Sequence, residues 1–562
     1  LTKQNMNEPA LKVIFLGGVG EIGKNMTALE FGDEIIVVDC GLAFPSSEMP
    51  GIDLVIPDAS YLVANREKVK GIVLTHAHED HIGALPYILK ELNVPVYGTR
   101  MTLSLLEPKL REHKIAENSR LNSVKPKSVV HLGANFKVEF ISVTHSVAGS
   151  CALAITTPLG VVFHTGDFKI DHTPIDGVAT DLSRIAEIGN KGVLLLLGES
   201  TNVERKGSSM SEATVGSSLH KVFAEQSSRR IFVATFASNV HRLQQLLDLA
   251  QKFGRKVVFS GRSMLNVVEA ATKIGELKYN NELIVDIEKI GNHDDKNILV
   301  ITTGSQGEPM SALTRMASDE FNKVKIGYND VIVISASPIP GNEKLVYGVV
   351  NKLYRLGARV IYESFANVHV SGHAYQDELS LIHTLVKPKF FIPVHGEYRH
   401  LKKHAELAMK MGMPSSNIII CDLGNVASVT RKMIRLDDNV TAGPILVDGI
   451  GVGDVGSTVI RDRKTLSEDG LVMVGVSVCH LSGEVEDIEI LTRGFVYVKE
   501  SEDLLTESKE IVRSIFDKYD SKDSMNDFAQ IKNQIRKDLK GYLYKRTHRN
   551  PMIIVMVLQE KE

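Results

Sequence analysis

Along the first 200 positions, apolar residues gather in short runs separated by turn residues. Leu11–Leu16, Glu34–Asp39, Gly71–Thr75, Phe136–Val143, Gly160–His164 and Val193–Leu197 are runs of this kind. Their length and flanking Gly and Asp residues predict strands, and their number predicts a β-rich layered domain. Between about 212 and 360 the period changes. Ser217–Ala224 and His241–Phe253 predict helices, whereas Ile231–Thr235, Lys256–Ser260, Ile298–Thr302 and Val331–Ser335 predict strands. Strands alternating with helices point to a parallel-sheet α/β unit. Near 361 the chain turns rich in histidine, as it is around 76–81. This predicts a first domain over 1–211 that resumes at 361–454, with 212–360 inserted between. The glycine-rich stretch Gly443–Asp454 closes that body. Over 455–562, strands at Leu471–Cys479, Ile488–Leu491 and Phe495–Val498 precede helices at Leu504–Tyr519 and Asp527–Tyr544. A strand at Met552–Leu558 completes a small α+β domain.

The segment Gly17-Gly18-Val19-Gly20-Glu21-Ile22-Gly23 follows a strand and superficially matches a dinucleotide-binding loop. It lacks the long helix and the ribose-binding acid of a βαβ unit, so a tight glycine turn is the reading adopted and no nucleotide cofactor is expected.

Composition narrows the class. With 43% hydrophobic and 24% charged residues, the 562-residue chain has the balance of a globular protein of several domains. No apolar run reaches the roughly 18–20 residues of a membrane span, and no basic-then-apolar leader stands at the start. Cys40, Cys151, Cys421 and Cys479 form no C-x-x-C pair, so a thiolate zinc site is not expected and reduced thiols in a cytoplasmic setting are. A net charge of −3 argues against a protein coated in positive charge for duplex binding. It leaves room for a recessed basic groove or for bound divalent ions.

The candidate chemistry centres on Thr75-His76-Ala77-His78-Glu79-Asp80-His81, which directly follows an apolar strand. Imidazole and carboxylate suit zinc or manganese. In an extended stretch His76 and His78 point the same way, and Asp80 and His81 can turn toward a second ion. Further ligands are expected at other strand ends: His145 after Phe136–Val143, Asp167 after Val161–His164, and His395 after Phe390–Val394.

The order H-x-H-x-D-H, His145, Asp167, His395 resembles the metallo-β-lactamase superfamily. That resemblance implies an αββα sandwich with metals at one edge. His76, His78 and His145 would hold one ion, Asp80, His81 and His395 the other, and Asp167 would bridge them. A hydroxide between the ions would be the nucleophile. Glu199-Ser200-Thr201-Asn202, Val370-Ser371-Gly372-His373 and Pro393-Val394-His395-Gly396 resemble the motifs of the β-CASP nucleases. Phe236-Ala237-Ser238-Asn239, Thr303-Gly304-Ser305-Gln306-Gly307-Glu308-Pro309, Ser335–Glu343 and Arg493-Gly494-Phe495-Val496-Tyr497 are similar to the bacterial ribonuclease J branch.

The fold implied is α/β: the sandwich, an inserted α/β β-CASP domain and a small α+β C-terminal domain that oligomerises. The activity implied is metal-dependent cleavage of single-stranded RNA, 5′-to-3′ from a 5′-monophosphate end and also internally, in RNA maturation and decay. Two divalent ions are implied, zinc foremost, with manganese or magnesium as alternatives. His373 would contact the scissile phosphate and protonate the leaving 3′-oxygen, with Glu199 orienting its ring. His369, Ser371 and Gly372 lie where the family holds the 5′-phosphate. Ser238 and Asn239 would line the RNA channel, although a cap on the helix near His241 explains them equally well. Phe44 would stack on a terminal base, a contact worth about 1–3 kcal/mol, or else be a core aromatic.

Three departures from the family pattern stand out. Ala77 replaces a glycine, Ser146-Val147-Ala148-Gly149-Ser150 replaces Ser-Ile-Pro-Asp-Ser, and Glu199 stands where Asp is common. No implied ligand is lost, and a homodimer or tetramer is expected. The altered neighbours also admit a weakly active or structural subunit partnering an active paralogue, as in Firmicutes that carry two. A small-molecule metallohydrolase fits less well, because such enzymes lack the inserted unit.

Overall fold

The computed structural model describes residues 9–46, 48–308, 310–339, 342–363, 366–479, 484–496, 501–518 and 528–559. The chain forms two compact units. One comprises residues 1–43 and 56–444, and the other 44–55 and 445–562.

The first unit is built on two stacked sheets. The larger has eight strands in the order Ile434–Leu436, Val426–Val429, Leu11–Gly17, Met26–Phe31, Glu34–Val38, Val69–Val73, Val96–Thr99 and Leu121–Val124. The smaller has six, in the order Pro388–Val394, Val193–Glu199, Gly160–His164, Cys151–Thr157, Phe136–Ser142 and Val129–Leu132. Phe15, Leu29, Ile36 and Val73 meet Phe136, Phe140, Leu153, Leu195 and Phe390 between them. Each such fully buried apolar side chain contributes about 1.5–3 kcal/mol. The outer face of the six-stranded sheet packs Phe163, Leu196 and Phe391 against the helices Leu182–Lys191, Gln376–Val386 and Tyr398–Lys410. Arg100–Glu112 lies against Val96–Thr99 and Leu121–Val124 of the larger sheet. These layers make the αββα sandwich. Buried on both faces, Val193–Glu199 reads as an unbroken apolar run rather than an alternating one.

The inserted α/β unit has five parallel strands in the order Lys256–Ser260, Ile298–Thr302, Arg230–Ala234, Asp330–Ile334 and Arg359–Ile361. The chain leaves the six-stranded sheet after Val193–Glu199 and re-enters it at Pro388–Val394. Those two strands are parallel neighbours in one sheet, with Glu199 opposite Val394. The insertion therefore joins adjacent strands and places the residues just beyond both ends side by side.

The second unit has a three-stranded sheet in the order Val485–Arg493, Leu471–Val478, Met552–Gln559. Leu471–Val478 alternates strictly, with Val472, Val474, Val476 and Val478 inward. Helices Glu502–Lys518 and Phe528–Thr547 cover that face through Val512, Ile515, Ile535 and Leu539. Three details depart from the sequence pattern. Gly443–Asp454, read only as a glycine-rich close to the first body, contains the short strand pair Pro444–Asp448 and Gly451–Val452. A helix, Ser457–Glu468, precedes the sheet; it buries no residue, so it has no apolar stripe to signal it. Phe495 and Val496 lie beyond a strand that ends at Arg493, while 497 and 498 are outside the described residues.

Candidate metal centre

His76, His78, Asp80 and His81 lie where the strand Val69–Val73 gives way to the one-turn helix Glu79–Ile82. The turn is possible because Gly41 lets the backbone of another loop come up against it. A Cβ at Gly41 would overlap the Asp80 carbonyl. Asn25 fixes the same carbonyl twice, donating from its backbone N at 2.9 Å and from Nδ2 at 3.1 Å.

The glycine turn that follows Leu11–Gly17 forms part of the site. The Gly18 carbonyl accepts a 2.7 Å hydrogen bond from the backbone N of His395. His395 itself takes a left-handed backbone, φ 52°, uncommon for a residue with a Cβ. Its carbonyl accepts bonds from Ser200 N at 3.3 Å and Thr201 Oγ1 at 3.1 Å, which helps hold that conformation.

Around Asp167, itself buried, three groups of potential metal ligands converge. They are His76, His78, His145 and Asp167; Asp80, His81, Asp167 and His395; and Asp167, Glu199, His373 and His395. Within each group the donor atoms lie within 4.8 Å of one another. Asp167 Oδ2 and His395 Nε2 are buried without a well-formed hydrogen bond among the described residues, facing His81 Nε2 at 3.2 Å and Asp80 Oδ2 at 3.3 Å respectively. Ligand atoms of imidazole and carboxylate that converge in this way without good hydrogen-bond geometry fit a divalent cation.

Hydrogen bonds on the far side of each ring set its tautomer. Thr75 Oγ1 donates to Asp39 Oδ2 at 2.8 Å, so its lone pair is left to accept from His76 Nδ1 at 3.0 Å. The Gly372 carbonyl accepts from His145 Nδ1 at 2.7 Å, and Asp39 Oδ2 accepts from His81 Nδ1 at 2.7 Å. Each arrangement leaves Nε2 facing inward. His78 differs: its Nδ1 points inward, 3.1 Å from both His76 Nε2 and His145 Nε2.

The electrostatics divide the ligands in two. Burial, followed by the neighbouring His81, pulls His76 well below its ordinary value. Burial and then His78 do the same to His145, and burial brings His78 down to about 4. These three are neutral imidazoles, the ligating form. Burial opposes charge on His81 and His395 too, but carboxylates overcome it. Asp167, Asp80 and Asp39 raise His81 well above its ordinary value, and Asp167 with Asp80 lifts His395 to about 10. Asp167 is held well below the usual carboxylate range by His395, His81 and His76, against its own desolvation. A cation would take over the role of those protons.

Beside the cluster, His373 Nδ1 lies 2.8 Å from Glu199 Oε2. The other oxygen, Oε1, accepts from the backbone N of Phe168 at 2.9 Å, which locks the carboxylate. Burial pulls His373 down, but Glu199, through its charge and its hydrogen bond, and then Asp167 leave it raised. Ser371 Oγ accepts from Asn202 Nδ2 at 2.7 Å and from His373 N at 3.1 Å. His369 is half-buried, its Nδ1 unpartnered among the described residues; burial and then Arg242 lower it to about 3.

The remaining expected residues are dispersed. Asn239 is buried and caps the helix Val240–Lys252, its Oδ1 accepting from Arg242 N at 3.0 Å; Ser238 beside it is half-buried. Phe44 belongs to the second unit and is 68% exposed, so it is no core aromatic. Asp39, Thr75 and Asn25 were not singled out in the sequence. Asp39 carried the same signal as the ligands that were, an acid at the end of an apolar strand. Asn25 carried none.

A two-sheet sandwich with an aspartate-centred histidine cluster at its strand ends defines the class: a metal-dependent hydrolase of the metallo-β-lactamase fold. Comparison with known proteins agrees. Residues 19–187 match the metallo-beta-lactamase superfamily, and 357–420 the Zn-dependent metallo-hydrolase RNA specificity domain. Residues 228–353 match the beta-CASP domain and 458–560 the C-terminal domain of ribonuclease J. The chain is 47% identical to ribonuclease J of Synechocystis over 88% of its length and 77% of that protein's. It is 42% identical to ribonuclease J2 of Bacillus subtilis over 98% of its length and 99% of that protein's, and 42% identical to ribonuclease J of Thermus thermophilus over 98% and 95%. The chain belongs to the ribonuclease J family and is a hydrolytic ribonuclease. A crystal structure of an Enterococcus faecalis protein of unknown function shares the fold, with a TM-score of 0.54 at 18% identity, over 75% of this chain and all of that one.

Proposed function

We propose that this chain cleaves single-stranded RNA from a 5′-monophosphate end in the 5′-to-3′ direction, and also internally, with two divalent ions in place. The observation that carries the reading is Asp167, shared by all three ligand groups, the third of which holds the His373–Glu199 pair. His76, His78 and His145 would hold one ion, and Asp80, His81 and His395 the second, with Asp167 shared. An imidazole-rich set favours zinc. The ions supply activation of water and neutralisation of charge on the phosphate.

The protein's own groups supply the rest. Glu199 holds the Nδ1 proton of His373, which turns Nε2 outward, and its charge favours the protonated ring. As water adds to phosphorus and the P–O3′ bond breaks, His373 gives its Nε2 proton to the departing 3′-oxygen. Ser371 already accepts two hydrogen bonds, so its own proton is free to donate to a phosphate oxygen. Together with Gly372 and His369 it forms the 5′-phosphate subsite. Of the channel pair, Ser238 is the one left available, because Asn239 caps its helix. The catalytic domain spans 1–211 and 361–454, the insertion 212–360, and 455–562 mediates self-association.

The test pairs 5′-monophosphate and 5′-triphosphate RNA of one sequence with Mn²⁺, Mg²⁺, Zn²⁺ or chelator, beside a His78→Ala, Asp80→Ala variant. Metal-dependent release of mononucleotides from the monophosphate substrate alone, lost in the variant, is expected. Equal turnover of both ends would overturn the 5′-phosphate reading. No turnover with any metal, despite bound RNA, would replace it with a structural subunit. Truncation near Arg461 is expected to lower the sedimenting mass; an unchanged mass would overturn the self-association role.

A further inference from the structure

The helix Phe528–Thr547 carries six cations, Lys532, Arg536, Lys537, Lys540, Lys545 and Arg546, against one acid, Asp538. This stands out in a chain whose net charge is −3. Its apolar stripe is fully engaged: Ile531, Ile535, Leu539 and Leu543 are 0–2% exposed. The opposite side is therefore the free one. On it, residues four apart form two rows about 6 Å per step, from the 1.5 Å rise of a helix. One row reads Arg536, Lys540, Tyr544, His548, all exposed, His548 standing just past the helix end. The other reads Asn533, Lys537, Gly541, Lys545, also exposed. Among the described residues, no ion pair engages Lys537, Lys540 or Lys545.

Two further observations specify what this face takes. Tyr544 is 48% exposed and meets His548 edge-on, with ring centroids 5.7 Å apart, so an aromatic platform sits among the cations. Gly541 interrupts the middle of the helix, where glycine costs about 0.5–1 kcal/mol relative to alanine. Nothing lies within 4 Å of where its Cβ would be. No packing contact among the described residues requires a glycine there. It leaves bare backbone beside Tyr544, with Lys537 and Lys540 near it on the same face.

We propose that this face of the C-terminal unit is a second RNA-binding track, which holds single-stranded RNA through its phosphates and stacks a base on Tyr544 over the Gly541 notch. Spaced cations with an interleaved aromatic suit a single strand, whose bases are free to stack, better than a duplex. A membrane surface fits poorly, because the helix has no apolar face left to insert. An acidic protein partner would use the cations but has no need of the notch. The enzyme's own substrate is the polyanion at hand.

The test uses the full chain carrying His78→Ala, Asp80→Ala, which prevents cleavage, with fluorescence anisotropy on a short and a long single-stranded RNA. Replacing Arg536, Lys537 and Lys540 with Gln is expected to weaken long-RNA binding about tenfold at moderate salt. The slope of log K against log salt should fall by about 2, since each neutralised phosphate contributes roughly 0.7 for a single strand. Short-RNA binding should hold, and with the metal cluster intact the triple variant should still cleave the short RNA. Gly541→Ala is expected to raise the melting temperature while weakening long-RNA binding several-fold. Unchanged long-RNA affinity in the triple variant would overturn the track. So would a loss of native mass in sedimentation, which would make this face an interface between copies. Tighter or unchanged binding by Gly541→Ala would remove the stacking site.

Discussion

The first unit buries charge, and among the described residues the second does not. Asp39, His76, His81, His145, Asp167 and Glu199 in the sandwich and Arg242 in the inserted unit are each below 9% exposure. Among the described residues of the second unit, Thr492 and Ser508 are the only polar side chains under cover. The second unit follows the simplest folding logic, with one apolar face on a sheet covered by the apolar stripes of two helices. The first carries groups whose burial is unfavourable unless each is paired. It meets that cost with a web of hydrogen bonds running through Asp39, Thr75 and Asp167. Chemistry in the first unit is accordingly internal and geometry-bound, while any chemistry in the second must be on its surface.

The sharpest way to break this contrast is Asp167→Ala. Because Asp167 joins three ligand groups, metal content is expected to collapse and single-turnover RNA cleavage to fall by at least about a thousandfold. Mass spectrometry of the native protein and a quench experiment would read both. Retained metal with retained cleavage would remove Asp167 from the centre.

A pair of glycines tests the contrast in backbone packing. Gly41→Ala drives a methyl into the Asp80 carbonyl and is expected to destabilise the first unit by about 3 kcal/mol or more, with weaker metal binding. Gly475→Ala, in the central strand of the second unit, meets only the Glu489 carbonyl at 3.9 Å and is expected to be neutral or slightly stabilising. Chemical denaturation of both variants would decide; equal losses would erase the distinction.

Glu199→Gln keeps the hydrogen bond to His373 but removes the charge. The rate is expected to fall about a hundredfold, within the range for a general acid, with metal content unchanged. Activity that needs protonated His373 is lost as pH rises through its elevated pKa. Without the carboxylate that pKa drops, so the alkaline limb of the profile should move to lower pH. A limb that stays in place would make Glu199 merely structural.

The smallest effect concerns acid stability. Burial lowers His383 to about 4 from 6.5, and its Nε2 lies 3.2 Å from His404 Nε2. The folded state takes up this proton less readily than the unfolded chain. The stabilisation is thus complete above pH 6.5 and is lost as pH falls toward 4. From pH 8 to pH 5 the loss is about 2 kcal/mol for this ring. Thermal unfolding of His383→Leu should show that much less acid sensitivity; identical pH dependence would exonerate the pair.

The strands and the seven residues that the structure gathers around Asp167 were legible because they share one signature: a polar, metal-competent residue at or just beyond the end of an apolar run. Val69–Val73 before His76 and Pro388–Val394 before His395 both show it. The groups that orient the ligands were harder to see. Asn25 acts on Asp80 across 55 positions through a backbone carbonyl, and no local pattern encodes such a pairing. Gly17–Gly23 was read as a turn and is one, but its contact with His395 depends on sheet topology. The excursion 44–55 joins the second unit through long-range pairing such as Asp53 N to the Val447 carbonyl, which composition cannot foretell.

The insertion between adjacent strands also sets an order in time. A ribosome releases His76 to His81 early, but His395 and the strand that presents it follow only after the whole inserted unit has been made. At about 5–20 residues per second that interval lasts tens of seconds. Throughout it the growing chain lacks a complete ligand set, although it is tethered to the messenger that encodes it. On the proposed ligand set, the topology postpones metal-dependent cleavage until the inserted unit and the strand beyond it have been made.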